Sequence, residues 1–280
     1  MTHELTLVLG GTGKTGRRVA ARLDVLGRPV RIGSRTADPA FDWNKPATWP
    51  GALDGVGSVY VTYYPDLGFP GAAEVIGAFA GTAVAAGARR LVLLSGRGEE
   101  EVLPAEQAIR DCGAEWTILR ASWFAQNFSE HFLLESVRAG VIALPAPDVA
   151  EPFIDVEDIA DVAVAALTGR EHAGKDYELT GPRLLTFTGI AAEFSAVLGR
   201  TVRFLPLRPE EYAAAAVQDG MPVEEAGPLA EMFARVLDGR NSYLTDDVER
   251  ILGRPAQDFS DYLADTARIG VWAIPERSER

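Results

Sequence analysis

The chain has 280 residues, of which 47 % are apolar and 24 % charged, a composition typical of a folded globular protein rather than a disordered or fibrous one. Lys and Arg total 27 against 40 Asp and Glu, and the resulting net charge of −13 disfavours nucleic acid and anionic lipid surfaces as partners. The single cysteine, Cys112, excludes an intramolecular disulfide, and no run approaches the ~20 apolar residues that cross a bilayer. The apolar run near the start is too short for a signal peptide, so we expect a cytoplasmic protein without a membrane span.

The first part of the chain alternates between short apolar runs and helical patterns, the order that βαβ units around a parallel sheet produce. The predicted strands are Leu5–Leu9, Pro29–Ile32, a short strand at Phe41-Asp42-Trp43, Val59–Thr62, Arg90–Leu94 and Trp116–Leu119. Helices are predicted at Lys14–Leu26 and Gly71–Ala86, each followed by a glycine that favours a helix end. The pattern predicts an α/β fold with a Rossmann-like, doubly wound parallel sheet.

Beyond about Val141 the pattern changes to longer helical stretches separated by proline and glycine. Helices are predicted at Thr186–Leu198, Pro222–Leu237, Asp246–Leu252 and Ser260–Ile269, with a strand at Thr201–Leu205. We therefore predict an NAD(P)-binding core over residues 1–150, which also receives elements from 151–180. A smaller, mostly helical, substrate-binding lobe is predicted over residues 181–280.

A glycine-rich loop follows the first predicted strand and opens a helix, the context that a dinucleotide-binding motif requires. Gly10 turns the chain, Gly13 lets backbone N–H groups approach a pyrophosphate, and Gly16 lets the helix pack closely on the sheet. The predicted cofactor-binding residues of this loop are Gly10, Gly11, Thr12, Gly13, Lys14, Thr15 and Gly16. A Walker P-loop would need a glycine where the chain has Val8, and a purely structural turn would not need so many glycines.

The end of the second predicted strand indicates which nicotinamide cofactor binds. Enzymes that use NAD place an Asp or Glu there, on the ribose 2′-hydroxyl, whereas this chain has Gly33-Ser34-Arg35. A guanidinium binds a 2′-phosphate through paired charge-assisted hydrogen bonds. Ser34 and Arg35 therefore predict NADP(H), with a solvated loop cation as the alternative role of Arg35.

With these residues in place, the chain resembles the NmrA-like branch of the atypical short-chain dehydrogenases, and within it the festuclavine and agroclavine dehydrogenase type. The segments that carry the resemblance, spread over nearly the whole chain, are residues 8–15, 33–35, 41–43, 93–95, 119–127, 152–160 and 180–182. The resemblance implies a Rossmann-like fold, NADP(H) binding and reduction of a small organic molecule, with iminium or enone-type substrates in the most similar relatives.

Two departures limit what the resemblance implies about catalysis. No tyrosine has a lysine four residues later, since the only lysines are Lys14, Lys45 and Lys175, and the lysine that isoflavone-reductase-like relatives place after the strand at Arg90–Leu94 is absent. A carbonyl reductase needs a proton donor for the developing alkoxide, whereas an iminium ion becomes a neutral amine on accepting hydride. The missing acid favours an iminium-like substrate.

The candidate catalytic residues follow two predicted strands, at the sheet edge where ligands bind in this fold. Tyr63 and Tyr64 follow Val59–Thr62 and could stack near the nicotinamide, donate a proton, or belong to a turn with Pro65. Ser95 ends the next strand and could orient cofactor or substrate through a hydrogen bond, so it is predicted both as a catalytic and as a cofactor-binding residue.

Candidate substrate-binding residues come after the strand at Trp116–Leu119. A helix is predicted to begin at Trp123 and to place Phe124, Phe128 and Phe132 on one core-facing side. Trp123 and Asn127 would share another face, so we predict that they line a pocket for a flat aromatic substrate.

The remaining polar residues do not indicate a metal site or a hydrolase. The acidic series Asp155, Asp158 and Asp161 fits a helix cap with first-turn acids, and no His or Cys accompanies it. His3, His131 and His172 lie far apart in the sequence, and no serine has the flanking glycines of a nucleophile elbow.

The sequence therefore predicts an NADP(H)-dependent oxidoreductase that reduces an imine or iminium, enone or quinone-like small molecule by direct hydride transfer. The alternative is a catalytically silent, NADP(H)-binding redox sensor of the NmrA type, which would act on a protein partner. An epimerase or dehydratase would need the missing Tyr-Lys pair. No motif sets the oligomeric state.

Overall fold

The computed structural model describes residues 4–274. The strands are β1 Leu5–Leu9, β2 Val30–Gly33, β3 Val56–Val61, β4 Arg90–Gly96, β5 Glu115–Ala121, β6 Val141–Leu144, β7 Ala150–Glu151, β8 Lys175–Leu179, β9 Leu185–Thr186 and β10 Arg203–Pro206. The α-helices are α1 Gly16–Val25, α2 Trp49–Leu53, α3 Ala72–Ala85, α4 Leu103–Arg110, α5 Asn127–Glu130, α6 Leu134–Ala139, α7 Val156–Thr168, α8 Phe187–Leu198, α9 Pro209–Gln218, α10 Val223–Val236, α11 Asp247–Leu252 and α12 Phe259–Arg268. No helix within this described stretch is long and apolar enough to cross a membrane.

The chain divides into two compact units. The first contains the residues up to Ala121, together with Val156–Leu179 and Thr245–Pro255. The second contains Ser122–Asp155, Thr180–Leu244 and the residues from Ala256 onward. These bounds differ from the division expected from the sequence, because the chain passes from one unit to the other several times and periodicity does not tell which unit an element joins.

The first unit is built on a six-stranded parallel sheet with the order β2-β1-β3-β4-β5-β8. The strand order reverses between β2 and β3, which both pair with β1. This arrangement confirms the predicted α/β fold. The carboxyl ends of β1 and β3 mark the switch point, where ligands bind in sheets of this kind.

Both faces of the sheet are covered by helices. Leu7, Val59 and Leu91 pack with Phe79 of α3 and Ile109 of α4 in one apolar cluster. Helices α1 and α7 pack together on the strands from the other side. The sheet is therefore buried on both faces, which explains its nearly continuous apolar strands.

The strand expected at Phe41-Asp42-Trp43 is wrong, because this segment is a loop that pairs with no neighbouring strand. The Phe41 N–H donates to the Ser34 carbonyl at 2.8 Å, and the Asp42 carbonyl accepts the indole N–H of Trp49 at 3.0 Å. The rings of Phe41 and Trp43 pack edge-on against each other and against Phe79. The backbone groups of this segment thus bond to a nearby carbonyl and to an indole N–H, and not to a neighbouring strand.

The second unit is mostly helical and contains two small sheets, one pairing β6 with β10 in parallel and one pairing β7 with β9 antiparallel. Its core is aromatic, with Phe128, Phe194 and Trp272 fully buried. Helix α8 begins where the Thr186 side chain accepts the Gly189 N–H, a favourable N-cap. The four helices predicted after residue 181 are present, as α8, α10, α11 and α12, although α11 belongs to the first unit.

The helix expected to begin at Trp123 is also wrong. Ile154 donates its N–H to the Trp123 carbonyl at 2.9 Å and accepts the Ala125 N–H at 2.8 Å, so this stretch is bridged to another segment. Of the stretch from Trp123 to Phe132, only α5 (Asn127–Glu130) is helical. Phe128 is fully buried, whereas Phe132 is 37 % exposed. The phenylalanines therefore do not share one face, because the backbone of residues 123–125 bonds elsewhere.

Candidate functional site

The glycine loop lies at the switch point and is held by backbone contacts. Gly10 has a φ of +61° and donates its N–H to the Gly33 carbonyl at 3.1 Å, and a Cβ there would lie 2.5 Å from Thr62 Oγ1. Gly13 donates its N–H to the Gly10 carbonyl at 2.8 Å. A Cβ at Gly16 would overlap that same carbonyl. Only glycine fits at positions 10 and 16 without moving the backbone.

The start of α1 suits a bound anion. The helix begins at Gly16, and its N-cap residue Thr15 makes no side-chain capping bond. The Arg17 and Arg18 N–H groups donate to the Gly13 and Thr15 carbonyls at 3.2 and 3.1 Å, and the helix start carries the positive end of the helix dipole. A phosphate is the usual ligand for such a helix start after a glycine loop. The pyrophosphate role of the loop stays a prediction.

The carboxyl end of β2 presents a hydroxyl and a guanidinium. Arg35 is exposed, and within residues 4–274 its guanidinium has no hydrogen-bond or ion-pair partner. Ser34 is half-buried, with its Oγ 3.4 Å from Thr36 Oγ1. No carboxylate occupies positions 33–36. The group that would bind a ribose 2′-hydroxyl in an NAD enzyme is thus replaced by an unengaged cation.

The carboxyl end of β3 holds an aromatic pair beside the loop. Thr62 donates its hydroxyl to the Leu9 carbonyl at 3.1 Å, and its own carbonyl accepts the Trp43 indole N–H at 3.2 Å. The Tyr63 ring lies 5.1 Å from the Trp43 ring between centroids. The structure thus places Tyr63 beside the switch point, whereas the side chain of Tyr64 is 81 % exposed. Trp43 was placed in a predicted strand and in a segment that carries the family resemblance, but not among the predicted site residues.

Ser95 is tied into a buried charged network. It is 5 % exposed and donates its hydroxyl to Glu106 Oε1 at 2.8 Å. Glu106, fully buried on α4, also accepts from Arg120 at 2.6 and 2.9 Å and from Arg110 at 3.0 Å. Burial alone raises the pKa of Glu106, but the hydrogen bonds from Arg120 and Ser95 outweigh it and hold the pKa below its ordinary value.

This network limits what Ser95 can do. Because its proton points to Glu106, Ser95 Oγ can only accept a hydrogen bond from a ligand. Sequence reasoning missed Glu106, whose contact with Ser95 and Arg120 arises only when α4 packs on the sheet. The one available signal was a glutamate on the apolar side of a short helix.

The predicted substrate-binding residues lie in the second unit. The Trp123 ring contacts the rings of Phe132, Phe187 and Phe233, with centroid distances of 6.3, 6.2 and 5.7 Å. Asn127 is half-buried at the first position of α5. Trp123 thus belongs to an aromatic cluster that the sequence did not reveal, because its members come from separate segments.

The acidic series forms ion pairs rather than one cluster. Asp158 is fully buried and pairs with Arg254 at 2.7 Å, and Asp161 pairs with Arg254 and Arg22. Asp155 accepts a hydrogen bond from the Gln126 amide at 2.6 Å. Over residues 4–274, no group of three or more His, Cys, Asp or Glu side chains could hold a metal ion.

A doubly wound parallel sheet, a glycine loop at its switch point and an uncapped helix start define a Rossmann-like fold of the type that binds dinucleotides. The model of the NmrA-like family matches residues 103–262, more than half of the chain. The chain belongs to the NmrA-like family.

Three similar proteins illustrate the range of relatives. Agroclavine dehydrogenase of Claviceps fusiformis is 33 % identical, with 94 % of this chain and 97 % of that protein covered. The NAD(P)H azoreductase of Xenophilus azovorans is 30 % identical, with 92 % and 96 % covered. Among solved structures, triphenylmethane reductase of Citrobacter sp. complexed with NADP(H) superposes with a TM-score of 0.73 at 21 % identity, covering 94 % of this chain and 99 % of that one.

Proposed function

We propose that the protein is an NADP(H)-dependent oxidoreductase that reduces an imine, iminium, enone or quinone-like small molecule by direct hydride transfer. The observation that carries the proposal is the exposed Arg35 guanidinium, unengaged within residues 4–274, next to Ser34 and close in the sheet to the glycine loop. Such a cation recognises a phosphate rather than a hydroxyl. The names of the azoreductase and agroclavine dehydrogenase relatives support the reductase class.

The residues at the switch point fit NADP(H). The backbone from Gly11 to Thr15 would hold the pyrophosphate, with Thr12 and Lys14 beside it. A side chain at Gly10 or Gly16 would overlap Thr62 or the Gly10 carbonyl and so disturb this loop. Ser34 and Arg35 would hold the 2′-phosphate. When bound, the cofactor supplies the hydride.

The chain's own contribution to the reaction is to position the reactants and exclude water. Of the predicted catalytic residues, Tyr63 is best placed, since its ring packs on Trp43 beside Thr62. We propose that Tyr63 positions the reacting groups and that Ser95 accepts a hydrogen bond from cofactor or substrate, while Tyr64 stays a weaker candidate because it is exposed. Trp123 and Asn127 are the proposed substrate-binding residues.

A substrate that needs no protein acid fits this set of residues. An iminium ion is neutralised when it accepts hydride, so it requires no proton donor at the reacting carbon. Ser95 directs its proton to Glu106, and no Tyr-x-x-x-Lys pair exists in the sequence. This favours iminium-like over ketone substrates.

The test is an absorbance assay at the nicotinamide band of NADPH with a cyclic iminium salt, a quinone, an azo dye and a simple ketone. We expect turnover of at least one of the first three and much slower turnover of the ketone. NADPH binding without turnover of any compound would instead support the redox-sensing alternative, and the absence of NADPH binding would reject both.

A further inference from the structure

Tyr60 is a fully buried tyrosine of β3 that lies near the glycine loop of the first unit. It pairs with Val8 of β1, two residues before the loop begins at Gly10. Successive side chains of a strand point to opposite faces of the sheet, and Val59 and Val61 belong to the apolar cluster with α3 and α4. The Tyr60 ring therefore lies on the other face, which α1 and α7 cover.

The hydroxyl of this tyrosine is buried without a hydrogen bond. Within residues 4–274, Tyr60 Oη has no partner at hydrogen-bond geometry. The Thr15 side chain is its neighbour: burial raises the pKa of the Tyr60 hydroxyl, and the nearby Thr15 side chain acts in the opposite direction. A buried hydroxyl without a bond destabilises the fold, and a phenylalanine would fill the same space without that cost. The hydroxyl therefore indicates a hydrogen bond that forms when a ligand binds nearby.

Thr15 is the residue through which Tyr60 can act on a ligand. The Thr15 side chain is buried, with 5 % exposed, and as the N-cap residue of α1 it makes no capping bond. In the part of the chain that the structure describes, the Thr15 backbone N–H also has no acceptor. The side chain thus lies in the interior beside Tyr60, while the N–H belongs to the helix start that would hold the pyrophosphate.

We infer that Tyr60 is a positioning residue for the cofactor: its hydroxyl donates to Thr15 Oγ1 when the Thr15 N–H donates to the pyrophosphate. Thr15 is then held in one orientation, which lowers the cost of ordering the loop on binding. The inference rests on the proposed function and adds to it a residue outside the glycine loop. Because NADPH and NADH carry the same pyrophosphate, Tyr60 acts equally on both cofactors, whereas Arg35 distinguishes them.

The test is calorimetric titration of the wild type and Tyr60→Phe, which lacks only the hydroxyl, with NADPH and with NADH. We expect the Kd of both cofactors to rise by about fivefold, the value of one ordinary hydrogen bond. The urea midpoint of unfolding should stay the same or rise, because the variant removes an unsatisfied buried group. The matched control is Tyr262→Phe in the second unit, where the described residues also leave a buried tyrosine hydroxyl without a bond. It should leave both Kd values unchanged.

Thr15→Val tests whether Tyr60 acts through Thr15, since valine has the same shape and keeps the backbone N–H but lacks the hydroxyl. In the Thr15→Val background, Tyr60→Phe should have no further effect on the Kd. In Thr15→Ser, which retains a hydroxyl, Tyr60→Phe should keep its effect of about fivefold. An unchanged Kd in Tyr60→Phe, or the same effect of Tyr60→Phe in both backgrounds, would overturn the inference.

A titration with inorganic pyrophosphate separates this inference from the proposed function. If neither NADPH nor NADH binds, but the wild type binds pyrophosphate more tightly than Tyr60→Phe does, the proposed function is rejected and the role of Tyr60 at the anion site stands. If the wild type binds neither the cofactors nor pyrophosphate, both are rejected.

Discussion

The glycine loop of the first unit and a group of packed rings in the second are shaped by different forces. We call this group, the rings of Trp123, Phe132, Tyr212 and Phe233, the aromatic cage. The loop depends on backbone contacts, such as the approach of Gly16 to the Gly10 carbonyl, and the sheet edge near it includes the charged hydrogen bonds of Glu106. The aromatic cage consists of ring faces from separate segments, among them Trp123 and Phe233. Backbone contacts and charged bonds are directional, whereas ring packing tolerates exchange of one apolar shape for another.

This difference suggests how one fold serves several substrates. A cofactor site that depends on backbone geometry loses its function when a single atom is added, so its ligand stays the same. A site built from rings keeps its function when ring size or position changes. We therefore expect large and specific losses from substitutions in the first unit and graded shifts in substrate preference from substitutions in the aromatic cage.

The largest expected effect is on stability, from Glu106→Ala. It leaves Arg120 and Arg110 without their buried carboxylate and Ser95 without its acceptor, so we expect the free energy of unfolding in urea to fall by about 3–5 kcal/mol. The control is Glu115→Ala, which removes a half-exposed carboxylate from a surface ion pair and should cost less than about 1 kcal/mol. Equal losses in the two variants would contradict the role of burial.

Gly16→Ala should have the next largest effect. Its Cβ overlaps a backbone carbonyl that cannot rotate away, so we expect NADPH affinity measured by calorimetry to fall by about 3 kcal/mol, at the upper end of overpacking effects. Gly81→Ala is the matched control, because a Cβ at this position of α3 meets only open space. It should leave NADPH binding unchanged and slightly stabilise the helix. Normal NADPH binding by Gly16→Ala would exclude the loop as the cofactor cradle.

Arg35→Ala separates the two nicotinamide cofactors. Removal of a charge-assisted hydrogen-bond donor should weaken NADPH binding by about 1.5–3 kcal/mol and change NADH binding little. Arg28→Ala, which removes the same charge before the start of β2, should affect neither cofactor. Similar losses for NADPH and NADH in Arg35→Ala would reject the 2′-phosphate role.

Trp123→Ala should produce a smaller effect, confined to the substrate. Loss of one ring contact is worth about 1 kcal/mol, so we expect the KM for an aromatic substrate to rise by about fivefold with unchanged NADPH affinity. Trp116→Ala, at a half-buried tryptophan of β5, controls for general loss of stability. A change in KM of the same size in both variants would show that the effect of Trp123 is not specific.

The smallest effect concerns pH and Asp258 in the second unit. Its hydrogen bonds from Arg183, at 2.7 and 2.8 Å, hold the pKa of the Asp258 carboxyl well below its usual range. A depressed pKa in the folded state stabilises the fold above the unfolded value, near 4, and this stabilisation is lost as the pH falls. Because the pair is partly exposed, we expect less than about 1 kcal/mol.

The measurement is the free energy of unfolding at pH 7 and pH 3.5 for the wild type and Asp258→Asn. The wild type should lose more stability on acidification than the variant, since only the wild type carries the titrating carboxyl. The same pH dependence in both proteins would show that Asp258 does not contribute. The matched comparison is Glu106→Gln, which removes the charge of the buried carboxylate in the first unit. Its free energy of unfolding is measured at the same two pH values.

The sheet and the glycine loop could be predicted because their signals are local. Glycines at positions 10, 13 and 16 follow an apolar strand, and the spacing alone indicates the turn and the helix start. The same reasoning fails at Phe41-Asp42-Trp43, whose alternation fits a strand although its backbone bonds go to Ser34 and Trp49. The strand propensity of a segment does not show with which group its backbone N–H and C=O form hydrogen bonds.

The aromatic cage could not be predicted, for a related reason. Trp123 was singled out by its position after a strand, but the expected helix does not form there because Ile154 bonds to its backbone. Phe233 and Tyr212 lie about a hundred residues further along the chain, on helices whose sequence shows only ordinary amphipathic spacing. Contacts between distant segments arise from packing and leave no pattern in the local sequence.

The most direct test of the central claim is calorimetric titration of the purified wild-type protein with NADPH and with NADH under the same buffer and salt. If Arg35 and Ser34 hold a 2′-phosphate, NADPH should bind at least about tenfold more tightly than NADH, since one or two charged hydrogen bonds are worth that difference. Equal affinity, or tighter binding of NADH, would contradict the assignment of the site to NADP(H).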